Sequence, residues 1–323
     1  ASRLENNADI LCELDCAFAK AIYAYRTKAV RPQLNGNGYV NIPKGRHPLI
    51  DAEKVVPVSL SLGSGYNYLL ITGPNTGGKT VTLKLTGLFC VMAATGYFIQ
   101  AADGANISLF DKIFVDVGDE QSIEQNLSTF SSHMRNLIEI TENVDDESLV
   151  LVDEMGAGTD PDEGSALARA ILELLVSRKS YGIVTTHYSA LKEYAFTQKE
   201  VMNASMDFDE ETFAPLYKLN IGLAGSSNAI KIASRLGLSQ EIADRASSFL
   251  SERKVSFEKV ISEAEKTRRA AEKQLEEYEV VTRESKAELD AILQERAKLE
   301  KEREKLYLNA KVESRRIVNE SVE

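Results

Sequence analysis

The run Gly73-Pro74-Asn75-Thr76-Gly77-Gly78-Lys79-Thr80 fits G-x-x-x-x-G-K-[ST], the phosphate loop of nucleotide-binding proteins. Its flanks fit as well. Residues 66–72, Tyr-Asn-Tyr-Leu-Leu-Ile-Thr, read as a buried strand running into the loop, and residues 81–85 read as a helix leaving it. Such a junction is an anion site. Its glycines let the backbone wrap close to phosphate, and amide N–H groups point inward at the positive end of the helix dipole. In this pattern Lys79 reaches the β- and γ-phosphates and Thr80 holds Mg²⁺, so the expected ligands are ATP and Mg²⁺.

A second element supports the first. Ser148-Leu149-Val150-Leu151-Val152-Asp153-Glu154 is an apolar strand ending in two acids, at the carboxyl edge where α/β ligands sit. Asp153 is placed to hold Mg²⁺ through water in the Walker-B manner, and Glu154 to accept a proton from the attacking water. Met155-Gly156-Ala157-Gly158-Thr159-Asp160-Pro161 then permits a tight turn. Residues 181–187 form a strand ending in His187, a candidate to contact the γ-phosphate or orient water. The stretch Asn126-Leu127-Ser128-Thr129-Phe130-Ser131-Ser132-His133-Met134 carries a hydroxyl cluster at a helix start. Either Ser128 or Ser131 is an N-cap, or the cluster holds the γ-phosphate of a nucleotide on another subunit.

The 323 residues are 43% hydrophobic, enough for one large or two smaller domains. No long uncharged apolar run or signal-peptide pattern occurs, so a soluble cytoplasmic protein with no membrane contact is expected. Three cysteines without a metal-ligand pattern read as reduced thiols. A net charge of −11 is unlike a dedicated nucleic-acid binder, so any contact with DNA or RNA is weak and local.

Residues 49–220 alternate strand and helix, an α/β layer with a mainly parallel core. Strands are expected at 38–42, 55–60, 66–72, 111–117, 148–153 and 181–186, helices at 122–141 and 162–178, and an edge hairpin over 201–220. Residues 1–30 read as the end of a longer helix, 31–221 as the nucleotide domain, and 222–250 as two short helices around a Gly237 break. Residues 252–323 hold neither glycine nor proline. Apolar residues there keep a 3/4 spacing from Phe257 to Ile317, interrupted by residues such as Arg268 and Glu313. A long helix with a weak coiled-coil seam is expected over 251–323; a solvated charged helix ordered by partners is the other reading. The sequence looks cut inside helices at both ends.

These motifs, in this order and spacing, resemble the ATPase domain of the MutS family: G-P-N-T-G-G-K-T, S-T-F, D-E-M-G-A-G-T and T-T-H-Y. Residues 119–134 and Asp160-Pro161 after Gly158-Thr159 resemble its bacterial MutS-two subfamily. The resemblance implies a P-loop NTPase fold of the ABC-ATPase type and a head-to-tail homodimer in which Ser128 closes the partner's ATP. It implies a helix-turn-helix dimerisation element at 222–250. Val56 falls in the segment that packs on adenine, although the aromatic found there in other members is missing. The parent protein is expected to act on branched DNA or on stalled ribosomes. The subfamily's Smr nuclease module has no counterpart in these residues, so ATP hydrolysis without strand cleavage is expected. Two other classes compete: a chromosome-maintenance ATPase working through its long helix, and a passive dimerisation module. Leu127-Ser128-Thr129-Phe130 in place of an L-S-G-G signature argues against the first, and intact Lys79, Thr80, Asp153 and Glu154 against the second.

Overall fold

The computed structural model describes residues 2–73, 77–118, 126–209, 212, 214–225, 229–249 and 252–320. The chain divides into two compact units, Ala1–Ser262 and Glu263–Glu323.

The first unit is built on a six-stranded sheet. Its strands are β4 (Tyr68–Thr72), β6 (Lys112–Asp116), β7 (Ser148–Val152), β8 (Tyr181–Thr185), β9 (Val201–Phe208) and β10 (Pro215–Ile221), in the order β10-β9-β4-β8-β7-β6. All neighbours are parallel except β9 and β10, which form the expected edge hairpin. The central strands are uninterrupted apolar runs because both faces are covered. Leu69, Ile71, Leu149, Leu151 and Ile183 face helix α2 (Lys79–Ala94) through Leu83, Leu85 and Phe89. Leu70, Val150, Val152 and Val184 face the opposite layer, with Leu137 from α3 (Asn126–Asn143), Leu172 from α4 (Pro161–Ser177) and Leu191 from α5 (Ser189–Thr197). Each such buried aliphatic side chain contributes roughly 1.5–3 kcal/mol.

A second sheet of four strands lies on the α2 side of this core. It contains β1 (Gln33–Asn35), β2 (Val40–Gly45), β3 (Val58–Leu62) and β5 (Asn106–Ser108), in the order β1-β5-β2-β3. Only parts of it were expected from sequence, and one part needs correction. The strand placed at 55–60 begins at Val58. Pro57 carries no N–H for a ladder, and residues 52–54 are turn. For α3 the expected start at Ser122 lies outside the described residues, and the helix is described over Asn126–Asn143. Ser128 and Ser131 are therefore inside the helix rather than at its N-cap. By contrast, α4 has a complete cap: Asp160 accepts from the N–H groups of Asp162 and Glu163 at 3.0 and 3.2 Å, with Pro161 at the first helical position.

The remaining helices follow the sequence pattern. Helix α1 covers Ser2–Thr27, with Leu11, Leu14, Phe18, Ile22 and Tyr25 exposed. Helices α6 (Ala229–Arg235) and α7 (Gln240–Ser248) flank Gly237, whose φ of 109° suits only glycine. Helix α8 runs over Glu252–Glu320, and Leu275, Tyr278, Leu289, Ile292, Leu299 and Leu306 of its apolar spacing are exposed. No helix among the described residues is long and apolar enough to cross a membrane. Cys12 and Cys16 are free and exposed, while burial pushes the Cys90 thiol up to about 12.

Candidate functional site

The carboxyl ends of the parallel strands bring the separate motifs together. β4 ends at Thr72 and runs into Gly73, whose φ is 123°. Pro74, Asn75 and Thr76 lie outside the described residues. Gly77 leads to Gly78, the left-handed residue (φ 93°) at the N-terminus of α2. A side chain at Gly78 would stand 3.1 Å from the ring of Tyr217, so the conformation and the space both favour glycine here.

Lys79 folds back under the loop. Its ammonium donates to the Gly73 carbonyl at 2.6 Å and lies 3.2 Å from His187 Nε2. The side chain is only 1% exposed. Burial lowers its pKa from 10.5 to about 8 against the opposing pull of Glu154 and Asp153. The next residue, Thr80, donates its hydroxyl to Asp153 Oδ2 at 2.6 Å. The phosphate loop and the acidic end of β7, 73 residues apart in sequence, are thus joined by a direct hydrogen bond.

Glu154 follows Asp153 with φ 49°, a left-handed backbone uncommon outside glycine. Two hydrogen bonds from one residue hold it there. Thr185, at the end of β8, accepts the Glu154 N–H on its hydroxyl at 2.8 Å, and its carbonyl accepts the Met155 N–H at 3.0 Å. The same hydroxyl donates to Asp153 Oδ1. Strain kept in place by surrounding bonds at a cleft is a mark of function. The turn beyond is pinned too, with Tyr188 donating to the Gly156 carbonyl at 2.8 Å.

His187 Nε2 lies 3.5 Å from Glu154 Oε1. Burial, and then the neighbouring Lys79 ammonium, lower the His187 pKa. The ring is therefore neutral at pH 7, with Nε2 facing Lys79 as an acceptor. On the other side of Asp153, its N–H donates to the carbonyl of Asp116, the last residue of β6. The buried Asp116 carboxylate meets His133 Nδ1 at 2.9 Å and accepts from Asn136 Nδ2 at 2.9 Å, which ties α3 to the strand beside the acidic pair. Ser128 lies on α3 two turns before Asn136, and its side chain is outside the description.

A cavity of about 270 Å³ opens beside Gly78, lined among others by His47, Val55, Val56, Val81, Met206 and Tyr217. Val56, 42% exposed, belongs to this wall. Tyr217 sits in a register shift of β10 with φ 54°. Its ring stands against the glycine turn at Gly78. The sequence reading gave no role to Tyr217, since a tyrosine in an alternating hairpin carries no distinguishing signal. Thr185 and Asp116 were missed for a related reason: each matters through a strand neighbour that is remote in sequence.

The donor set fits the expected ligands. Thr80 and Asp153 present a hydroxyl and a carboxylate side by side, the oxygen ligands a hydrated Mg²⁺ takes. Gly77, Gly78 and Lys79 present amides and a cation at the start of a 16-residue helix, which suits phosphate. Thr185→Val removes the hydroxyl from both Asp153 and Glu154 and preserves shape. It is expected to lower turnover at saturating ATP by ~10-fold or more, with Thr185→Ser restoring it, as measured by steady-state phosphate release.

The family model for MutS domain V matches residues 69–254. Relatives named endonuclease MutS2 are similar over most of the chain. That of Caldanaerobacter subterraneus subsp. tengcongensis is 54% identical over 268 residues, which is 83% of this chain and 34% of the relative. That of Geobacillus sp. (strain WCH70) is 52% identical over 274 residues, 85% and 35% of the two chains. That of Alkaliphilus metalliredigens is 46% identical over 321 residues, 99% and 41%. The chain thus spans between 34% and 41% of the length of these curated relatives. With domain V matched across more than half of its length, this protein belongs to the MutS family.

Proposed function

We propose that this chain binds and hydrolyses Mg-ATP as a P-loop NTPase of the ABC-ATPase type, working as a homodimer. The observation that carries the reading is the Thr80–Asp153 hydrogen bond at 2.6 Å, which joins the phosphate loop to the acidic strand end. Gly73, Pro74, Asn75, Thr76, Gly77 and Gly78 would wrap the phosphates, with Lys79 supplying charge to them. Thr80 and Asp153 would hold Mg²⁺, which when bound offsets charge building on the transferred phosphoryl oxygens. Glu154 would accept the proton of the attacking water, and neutral His187 beside it would orient that water or the terminal phosphate. Ser128, on α3, would complete the site of a partner subunit, and the 222–250 element would support pairing.

The relatives are named as endonucleases, but no strand cleavage is proposed for these residues. Action on branched DNA or ribosomes is proposed for the longer protein. The test is phosphate release from ATP by the purified chain, with and without EDTA. Turnover that requires Mg²⁺ supports the reading, and its absence at any protein concentration rejects it.

The cavity beside Gly78 is the proposed base pocket, with Tyr217 serving where the segment around Val56 lacks an aromatic. A stacked ring is worth roughly 0.5–1.5 kcal/mol beyond its area. Tyr217→Phe is expected to bind ATP like wild type and Tyr217→Ala about 10-fold more weakly, by fluorescence titration. Equal loss in both variants would exclude stacking.

A further inference from the structure

Thr72 is fully buried and is the last residue before the phosphate loop. Its hydroxyl donates to the Ala204 carbonyl on β9 at 3.1 Å and accepts the Gly225 N–H at 2.7 Å. The Gly225 carbonyl accepts from the Lys192 ammonium at 2.7 Å. Lys192 belongs to α5, five residues after His187, and is 3% exposed. Asn203 Nδ2 donates to the Lys192 carbonyl at 3.1 Å, so the same helical turn is also tied to β9. A Cβ at Gly225 would lie 3.2 Å from the Thr72 hydroxyl and 3.5 Å from the Gly73 nitrogen. The Gly225 backbone therefore rests on the shoulder of the phosphate loop. Beyond it the chain continues to α6 and α7.

Three parts of the molecule meet at Gly225: the root of the phosphate loop, the helix that follows His187, and the segment leading to the paired short helices. A buried ammonium is a costly way to hold a carbonyl, since the cation must leave water. An apolar side chain of the same length could fill the space, but it could not hold the Gly225 turn.

Resting on the ATP reading above, we propose that Lys192 is a positioning residue for ATP hydrolysis. Its ammonium clamps Gly225 against Thr72, so that the phosphate loop, the His187 segment and the chain leading to residues 229–249 move as one. Phosphate occupancy at the loop would then be transmitted to α6 and α7 through this clamp.

The test uses the whole chain with Lys192→Met, Thr72→Val and Thr72→Ser. Fluorescence titration with ATP gives affinity, steady-state phosphate release gives kcat, and amide exchange over 229–249 is compared with and without a non-hydrolysable ATP analogue plus Mg²⁺. In wild type the analogue slows exchange at 229–249. Lys192→Met and Thr72→Val are expected to keep affinity within ~3-fold, lose ~10-fold or more in kcat, and lose the exchange response. Thr72→Ser keeps all three. Thr72→Val preserves shape, so it bears on the clamp even if Lys192→Met does not fold. Wild-type kcat in Thr72→Val, or an exchange response that survives in it, would overturn the clamp. A wild-type chain that binds ATP without any response at 229–249 would overturn the transmission. A wild-type chain that binds no ATP would instead reject the nucleotide reading, and this inference with it.

Discussion

Glu154→Gln is expected to keep ATP bound and to lower its hydrolysis by ~10²-fold or more. The backbone at 154 is fixed from outside the side chain, by the Thr185 hydroxyl on its N–H and by the Thr185 carbonyl on the next residue. Glutamine has the shape of glutamate, so the left-handed φ of 49° and the placing of Asp153 should survive. What is lost is the capacity to take a proton. Lys79, Thr80 and Asp153 remain, so affinity for Mg-ATP should stay within a few-fold of wild type. Single-turnover phosphate release beside equilibrium binding separates the two effects. Turnover at the wild-type rate would remove Glu154 from the role of general base.

Lys79→Met is expected to abolish ATP binding and, without nucleotide, to stabilise the fold. The folded-state pKa of Lys79 is about 8, below the 10.5 of a free lysine, with burial the largest cause. That difference corresponds to roughly 3 kcal/mol against the charged form. Between pH 8 and 10.5 the unfolded chain holds the proton more tightly, so this group's contribution to stability rises with pH across that window. Below pH 8 the penalty is present in full. Methionine removes it and gives up the hydrogen bonds to Gly73 and His187, leaving a net gain of about 1 kcal/mol at pH 7. Thermal melts of both proteins from pH 7 to 10.5 provide the check. Burial raises the pKa of Tyr66, Tyr188 and Tyr194, which lowers stability near the top of the range, but in both proteins alike. The gap between the two curves should therefore narrow as pH rises. A constant gap would show that Lys79 carries no such penalty.

The six-stranded sheet was legible because a strand buried on both faces must be apolar throughout. Residues 68–72, 148–152 and 181–185 satisfy that requirement without help from distant residues. The junction of β4 with α2 was legible because an apolar strand, a glycine-rich turn and a helix follow one another at fixed offsets, and Gly73 and Gly78 have the positive φ that such a turn needs. The second sheet was not. β1 and β5 have three residues each, too few for a period, and their pairing is set by chain closure across some 70 residues. Tyr217 and Thr185 escaped notice for a different reason. A tyrosine on an edge hairpin and a threonine at a strand end are ordinary in sequence, and their roles arise from contacts with Gly78, Asp153 and Glu154 that only folding creates. The N-cap reading of Ser128 or Ser131 does not hold, because a run of serines can equally cap a helix or lie along it.

The cavity next to Gly78 is walled mostly by aliphatic side chains and the Tyr217 ring, with His47 and Lys54 as its polar lining side chains apart from Tyr217. If the proposed base enters there, most of this wall would meet its flat face, and only a few polar groups such as His47 and Lys54 could read its rim. Discrimination between adenine and guanine would then rest on very few polar groups, and guanine nucleotides would be only weakly disfavoured as competitors.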